Sequence, residues 1–256
     1  MGHPATTSSP ARSDPGVWFR VHRRARQPRL RLVCFPHAGG AAQLFQGWPA
    51  LLPADVELLA VRYPGRQNRL LEPFAPDLPT LADEIHRALE PHLDRPLALF
   101  GHSMGSAVAY EVARRLEAGG RTPTRLLVSG RVAPHRAAST DLHTSDDETL
   151  IAGVRHLGGP GAEAYDDPDL RELTLPALRA DYRLIETYRP RQPTPLRAPI
   201  TAYAGRSDPH CPPDGVRAWS ELTVPGGFEH RWFPGGHFYL TPSEPELLAD
   251  ITARLP

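Results

Sequence analysis

The sequence contains no lysine: its 29 basic residues are all arginine, and they are balanced by 29 acidic residues. The absence of lysine excludes catalysis through a lysine Schiff base or a lysine nucleophile. The formal net charge of zero predicts that the chain is not a general nucleic-acid-binding protein.

Cysteine and long hydrophobic runs are also scarce. The two cysteines, Cys34 and Cys211, match no metal-ligand spacing and do not suggest a disulfide framework. No apolar run approaches the ~20 residues that cross a bilayer, so we expect no membrane partner. Residues 1–16 are rich in Ser, Thr, Pro and Ala and read as a flexible tail rather than a signal peptide, which favours a cytoplasmic protein.

A G-x-S-x-G pentapeptide, residues 101–105, stands between an apolar run and a helical pattern that ends at Gly119-Gly120. A serine at such a strand-to-helix turn has a strained backbone, which exposes its Oγ to substrate. Glycine is needed on both sides because a Cβ there would collide with neighbouring backbone. The pattern therefore predicts Ser103 as a nucleophile.

A hydroxyl group is a poor nucleophile, so a base must accept its proton. His237 is the best candidate because it follows a predicted last strand through Pro234-Gly235-Gly236. Among the other histidines, His230 would lie within or before that strand, and His102 adjoins the serine too closely to face its Oγ.

Asp208 is the predicted acid that orients this histidine, because it follows a strand and a turn that begin at Ile200. Asp214 is the second candidate, but it lies deeper in a proline-rich loop. The order serine, aspartate, histidine along the chain is that of the α/β-hydrolases. Three such residues in this order on three strand ends are unlikely to arise by accident.

An oxyanion hole is predicted at residues 36–40, a glycine-bearing loop that directly follows the strand at 32–35. In this architecture the loop supplies one backbone N–H, and the residue after the nucleophile, Met104, supplies the other. We assign the loop donor to Ala38, with Gly39 as the alternative.

Strand and helix patterns alternate along the rest of the chain, as in a doubly wound sheet. We therefore predict an α/β-hydrolase fold, with a mostly parallel central sheet and helices on both faces. Leu44, Trp48 and Leu51-Leu52 suggest one helix. Thr80 with Asp83 and Ser243 with Glu246 resemble capping boxes that would open two others.

Residues 137–190 interrupt this alternation, because they contain helical segments at about 146–157 and 170–188 but no strand pattern. An insertion here would lie over the carboxyl ends of the strands, so we predict a mobile helical lid that shapes an acyl pocket. The predicted organisation is then a tail at 1–16, a core at 17–136, the lid at 137–190 and the rest of the core at 191–256.

Several segments carry a resemblance to a known family that covers nearly the whole chain after the tail. They are Phe35-Pro36-His37-Ala38-Gly39-Gly40, Arg62-Tyr63-Pro64-Gly65-Arg66, the serine segment through Arg115, Ser129-Gly130-Arg131, Leu178-Arg179-Ala180-Asp181 and Phe233-Pro234-Gly235-Gly236-His237-Phe238. Together they resemble the type II thioesterases, the stand-alone editing enzymes of polyketide and nonribosomal peptide assembly lines.

The resemblance implies an activity, a partner and a site. The expected reaction is hydrolysis of stalled or wrongly primed acyl units from the phosphopantetheine thiol of an acyl or peptidyl carrier protein. Ser103 would be the nucleophile, His237 the base and Asp208 the orienting acid. No metal or diffusible cofactor would be needed, because the partner carries the phosphopantetheine. Carrier proteins are generally acidic, so Arg131, Arg136, Arg179 and Arg183 are candidates for steering them.

Three other functions remain open on the sequence alone. The first is a serine esterase or peptidase that acts on small molecules with the same triad. The second is an acyltransferase, in which an alcohol or amine replaces water. The third is a non-catalytic module that binds carrier proteins with a relic site.

Overall fold

The structure of the protein is a computed structural model that describes residues 15–159, 161–190 and 194–256. Most of the predicted tail, residues 1–14, lies outside the described residues. The described chain begins with a short helix, α1 (Pro15–Trp18).

A seven-stranded sheet forms the centre of the fold, in the order β1-β3-β2-β4-β5-β6-β7. Only β1 is antiparallel to its neighbour, and all other neighbouring strands are parallel. The strands are β1 (Phe19–Arg23), β2 (Leu30–Phe35), β3 (Val56–Val61), β4 (Leu97–His102), β5 (Arg125–Ser129), β6 (Ile200–Gly205) and β7 (Phe228–Phe233). The mostly parallel sheet confirms the predicted fold class.

Side chains of the central strands alternate between two apolar layers, because successive residues of a strand point to opposite faces. In β2, Val33 and Phe35 belong to the layer that also contains the buried faces of two helices, α2 (Leu78–Leu89) and α3 (Met104–Ala118). Leu30, Leu32 and Cys34 belong to the opposite layer, which contains the last helix, α7 (Glu244–Arg254). Cys34 is therefore a core residue.

The remaining helices are α4 (Asp147–Leu157), α5 (Pro168–Thr187) and the five-residue α6 (Pro213–Arg217). Helices α4 and α5 match the two segments predicted within residues 137–190, and the described part of that region contains no strand. Leu150 and Ile151 of α4 pack against Leu175 and Leu178 of α5 in an apolar cluster of their own. The helical region thus has a small core separate from the two layers of the sheet.

Three local predictions were wrong. The helix expected around Leu44–Leu52 is instead two short 3-10 turns, Ala42–Phe45 and Trp48–Ala50, and a proline directly follows Trp48. Helix α2 begins earlier than predicted, because Asp77 caps it by accepting a hydrogen bond from Thr80 N–H at 2.7 Å. Ser243 does stand at the start of α7, but its side chain makes no capping hydrogen bond.

Among the described residues, no helix combines the length and apolar character that spanning a membrane requires.

Candidate active site

Ser103 lies in the tight turn between β4 and α3, where the backbone has φ 54° and ψ −119°. A positive φ is unfavourable for any residue with a Cβ, so this turn stores strain of about 1–3 kcal/mol. The turn is held in place by β5, since Ser103 N–H donates to the carbonyl of Ser129 at 2.8 Å. The strained serine predicted from the pentapeptide is confirmed.

The two glycines of the pentapeptide allow the strand and the helix to meet at this turn. A Cβ on Gly101 would lie 2.2 Å from the carbonyl oxygen of Gly105, and one on Gly105 would lie 2.1 Å from that of Phe35. Both contacts are with backbone, which cannot move aside as a flexible side chain can. Glycine is therefore required by close packing at both positions, as the sequence suggested.

Replacing Gly105 by alanine is expected to lower the free energy of unfolding by about 1–3 kcal/mol or more, because the new methyl group overlaps β2 backbone. Gly119→Ala at the other end of α3 is the matched control, since a Cβ there meets its nearest atom at 3.5 Å. Chemical denaturation of the two variants measures the difference. Equal stability of the two variants would contradict this packing account.

His237 and Asp208 form a buried hydrogen-bonded pair: His237 Nδ1 lies 2.7 Å from Asp208 Oδ2. An ionised carboxylate can only accept, so Nδ1 donates and Nε2 remains the acceptor that a general base needs. Burial opposes ionisation of Asp208, but the hydrogen bonds from His237 and from His210 N–H (3.0 Å) outweigh it and lower the pKa of Asp208. The carboxylate is thus charged and oriented toward the imidazole.

The competing candidates from the sequence occupy other environments. Asp214 is fully exposed and pairs with Arg217 within α6. His230 lies within β7 and is exposed. His102 is completely buried, with Nδ1 3.0 Å from the hydroxyl of Ser129, and burial lowers its pKa well below the ordinary value.

Ser103 and His237 line the same two cavities, with volumes of about 380 and 520 Å³. Within the described part of the chain, no hydrogen bond joins the Ser103 hydroxyl to the imidazole. Such bonds are often long in unliganded active sites and tighten only when substrate binds. The structure therefore brings the three predicted residues to one place but forms only the histidine–aspartate contact.

The predicted oxyanion donors, Ala38 and Met104, both border the larger cavity. Their backbone N–H groups have no hydrogen-bond partner among the described residues. The N–H of Gly39, the alternative donor, is already occupied, because it donates to Asp181 Oδ2 at 2.8 Å. The structure therefore favours Ala38 over Gly39.

Three of the four arginines considered for carrier docking have structural partners. Arg179 binds the carbonyls of His143 and Ser145, and Arg183 donates to the carbonyl of Ala75. Arg136 is exposed but pairs with Glu221. Arg131 lines the larger cavity, and burial lowers its pKa to about 10.

Among the described residues, no group of three or more His, Cys, Asp and Glu side chains is placed to hold a metal ion.

The parallel sheet, the strained serine after β4 and the histidine–aspartate pair after β7 and β6 define a serine hydrolase with the α/β-hydrolase fold. The family model described as "Thioesterase domain" matches residues 30–255. The chain therefore belongs to the thioesterase family.

Similar proteins include the thioesterase PikA5 of Streptomyces venezuelae, which is 42% identical over 97% of this chain and 89% of its own length. A probable cadicidin biosynthesis thioesterase of Streptomyces griseus is 42% identical over 88% of this chain, which spans 62% of that protein. The structure of BorB, a type II thioesterase from the borrelidin biosynthetic cluster, superimposes with a TM-score of 0.87 at 42% identity, covering 94% of this chain and 98% of BorB.

Proposed function

We propose that this protein is an editing thioesterase that releases stalled or aberrant acyl units from the phosphopantetheine arm of carrier proteins in polyketide or nonribosomal peptide biosynthesis. The observation that carries the proposal is the strained Ser103 sharing two cavities with the buried His237–Asp208 pair. Membership of the thioesterase family supports the thioester as the bond that is cleaved.

Acylation begins when His237 Nε2 accepts the proton of Ser103 as its Oγ attacks the thioester carbonyl. Negative charge then develops on the carbonyl oxygen, and the N–H groups of Ala38 and Met104 stabilise it. Asp208 keeps the histidine in the tautomer that can accept the proton and stabilises the resulting imidazolium.

The C–S bond then breaks as the carbonyl re-forms, and the departing sulfur takes the proton from the His237 imidazolium, which returns the histidine to its neutral form. This departure requires little acid catalysis, since the pKa of an ordinary thiol is about 8.5. Water then attacks the acyl-serine, with His237 again as the base, and hydrolysis frees the acid and regenerates the hydroxyl. Serine, histidine, aspartate and two backbone N–H groups are sufficient for every step. We therefore propose that no metal or diffusible cofactor takes part.

The two cavities suit a substrate that extends in two directions from the reacting carbonyl. Ala38, Ser103 and His237 border both of them, as do Leu157 of α4 and Tyr182 of α5. An acyl chain can therefore occupy one cavity and the phosphopantetheine arm the other. This arrangement supports the proposal that residues 137–190 act as a lid over the site. We further propose that the protein acts in the cytoplasm, together with the carrier proteins that bear its substrate.

Turnover of acyl-loaded carrier proteins, compared with simple oxygen esters of the same acyl group, tests the proposed substrate class. We expect a higher kcat/KM for the carrier thioester and the free acid as the product. A preference for the oxygen ester would favour an esterase, and an ester or amide product would favour an acyltransferase. Failure of Ser103 to react with a fluorophosphonate in folded protein would favour a non-catalytic module.

A further inference from the structure

A buried ion pair lies next to the loop of residues 36–40, which contains the proposed oxyanion donor. Arg66 donates from Nη1 to Asp181 Oδ2 at 2.6 Å and from Nη2 to Asp181 Oδ1 at 2.7 Å. The two residues are 8% and 2% exposed. Burying two charges has a large desolvation cost, so such a pair is weak evidence for a role in stability alone.

Both members of the pair also bind the 36–40 loop. Asp181 Oδ2 accepts the N–H of Gly39 at 2.8 Å, and Arg66 Nη1 donates to the carbonyl of Gly40 at 3.1 Å. The loop closes on itself through a hydrogen bond of 2.9 Å from Gly40 N–H to the carbonyl of His37.

These contacts determine the direction of the Ala38 N–H. The N–H of Ala38 and the carbonyl of His37 belong to one planar trans peptide and point in opposite directions. The N–H of Gly40 donates a hydrogen bond to that carbonyl. Asp181 fixes the orientation of the next peptide plane by accepting the N–H of Gly39. Among the residues that the structure describes, the Ala38 N–H has no hydrogen-bond partner, and Ala38 borders both cavities.

We propose that Asp181 is a positioning residue for the oxyanion hole: it binds the Gly39 N–H and thereby orients the Ala38 N–H toward the reacting carbonyl. Arg66 has two functions in this arrangement. It holds the carboxylate in a bidentate geometry, and its charge offsets a negative charge that would otherwise repel the developing oxyanion. The inference builds on the proposed function, since it requires an acyl-transfer reaction at Ser103.

Asp181 belongs to α5, within the region predicted as a lid, and it is 142 residues from Gly39 in sequence. Leu178 of the same helix packs on Gly39, where a Cβ would lie 2.7 Å from its Cδ1. The position of the donor loop therefore depends on how α5 is seated. A displacement of α5 would disturb the oxyanion hole without moving Ser103 or His237.

Two double variants separate this role from general stability. Asp181→Asn with Arg66→Gln lacks both charges but retains an oxygen that can accept from Gly39 N–H. Asp181→Ala with Arg66→Gln lacks the charges and the acceptor. Loss of one oxyanion donor typically lowers kcat by about 10²–10³-fold. We expect the alanine double variant to have a kcat at least about tenfold below that of the asparagine double variant, with similar KM.

The control is Glu111→Ala, because Glu111 is an equally buried carboxylate that pairs with Arg114 and Arg115 on α3. Glu111→Ala should lower the midpoint of thermal unfolding. At temperatures where the protein is folded, its kcat should not fall as that of the Asp181→Ala double variant does. Equal kcat in the two double variants would overturn the proposal. If the double variants do not fold, Asp181→Asn and Asp181→Ala with Arg66 intact provide the same comparison.

Each variant is assayed with an acyl-carrier thioester and with a small oxygen ester, since both reactions use the oxyanion hole. A wild-type protein that cleaves only the ester would contradict the proposed function. The kcat difference between the double variants would still test the role of Asp181, so the two proposals fail separately.

Discussion

Replacing Ser103 by alanine is expected to lower kcat for acyl-carrier hydrolysis by about 10⁴-fold or more, the size of loss that follows removal of a nucleophile in comparable hydrolases. The reason is that the carbonyl loses its only positioned attacking group, while the oxyanion donors and the cavity walls remain. Steady-state release of free acid from an acyl-loaded carrier measures the effect. Substrate binding should be nearly unchanged, because the hydroxyl contributes little to the ground state.

Ser103→Gly provides a matched variant for the same position. It removes the same hydroxyl and should lose the same activity, but glycine tolerates φ 54° without strain. We therefore expect Ser103→Gly to be more stable than Ser103→Ala by about 1 kcal/mol. Retention of more than one hundredth of wild-type kcat in both variants would contradict the role of Ser103.

Replacing Asp208 by asparagine is expected to lower kcat by up to about 10⁴-fold, because an asparagine at this position favours the wrong tautomer of the histidine. With Asp208 present, His237 Nδ1 donates to the carboxylate at 2.7 Å and Nε2 is free to accept the serine proton. An amide N–H in place of the carboxylate oxygen would reverse that preference. Single-turnover kinetics should show a slow acylation step with the fold intact.

Asp214→Asn is the control for this substitution, because Asp214 was the second candidate in the sequence and is fully exposed in α6. Its kcat should stay within about twofold of wild type, as expected for a surface change away from the site. A larger loss in Asp214→Asn than in Asp208→Asn would mean that the acid has been assigned to the wrong residue.

The positions of the site residues could be predicted from the sequence because each has a strong local signal. The pentapeptide around Ser103 requires a strand before it and a helix after it, and the sequence contains both patterns. Asp208 and His237 each lie in a short turn after a strand, β6 and β7, so the parallel sheet brings them to the same edge. The proposed catalytic residues could therefore be predicted because they lie in short segments whose structure is set locally.

The support for the oxyanion loop could not be predicted in the same way. Arg66 and Asp181 are 115 residues apart, and neither segment has a periodic pattern that reveals its partner. Their motifs contribute to the family resemblance, but the contacts of the pair with the 36–40 loop depend on how α5 packs against that loop. A tertiary contact of this kind has no signal in a single sequence.

The residues at which helices begin, and the form of short helical turns, also could not be predicted from the sequence. Asp77 and Thr80 both suit the start of α2, and the structure selects Asp77, whose carboxylate accepts from Thr80 N–H. Around Leu44 to Leu52 the apolar spacing suggested one helix. The chain instead forms two 3-10 turns whose buried members, including Phe45 and Trp48, pack on the sheet. Packing against the sheet decided the local structure there.

Detection of an acyl-enzyme would test whether Ser103 is the nucleophile. Acyl-loaded carrier protein is mixed with the wild-type protein, quenched with acid within the first turnover, and analysed by mass spectrometry of the intact protein and of its peptides. We expect a mass increase equal to one acyl group, located on Ser103 and absent in Ser103→Ala. Turnover of the thioester with the acyl group on another residue, or with undiminished rate in Ser103→Ala, would contradict it.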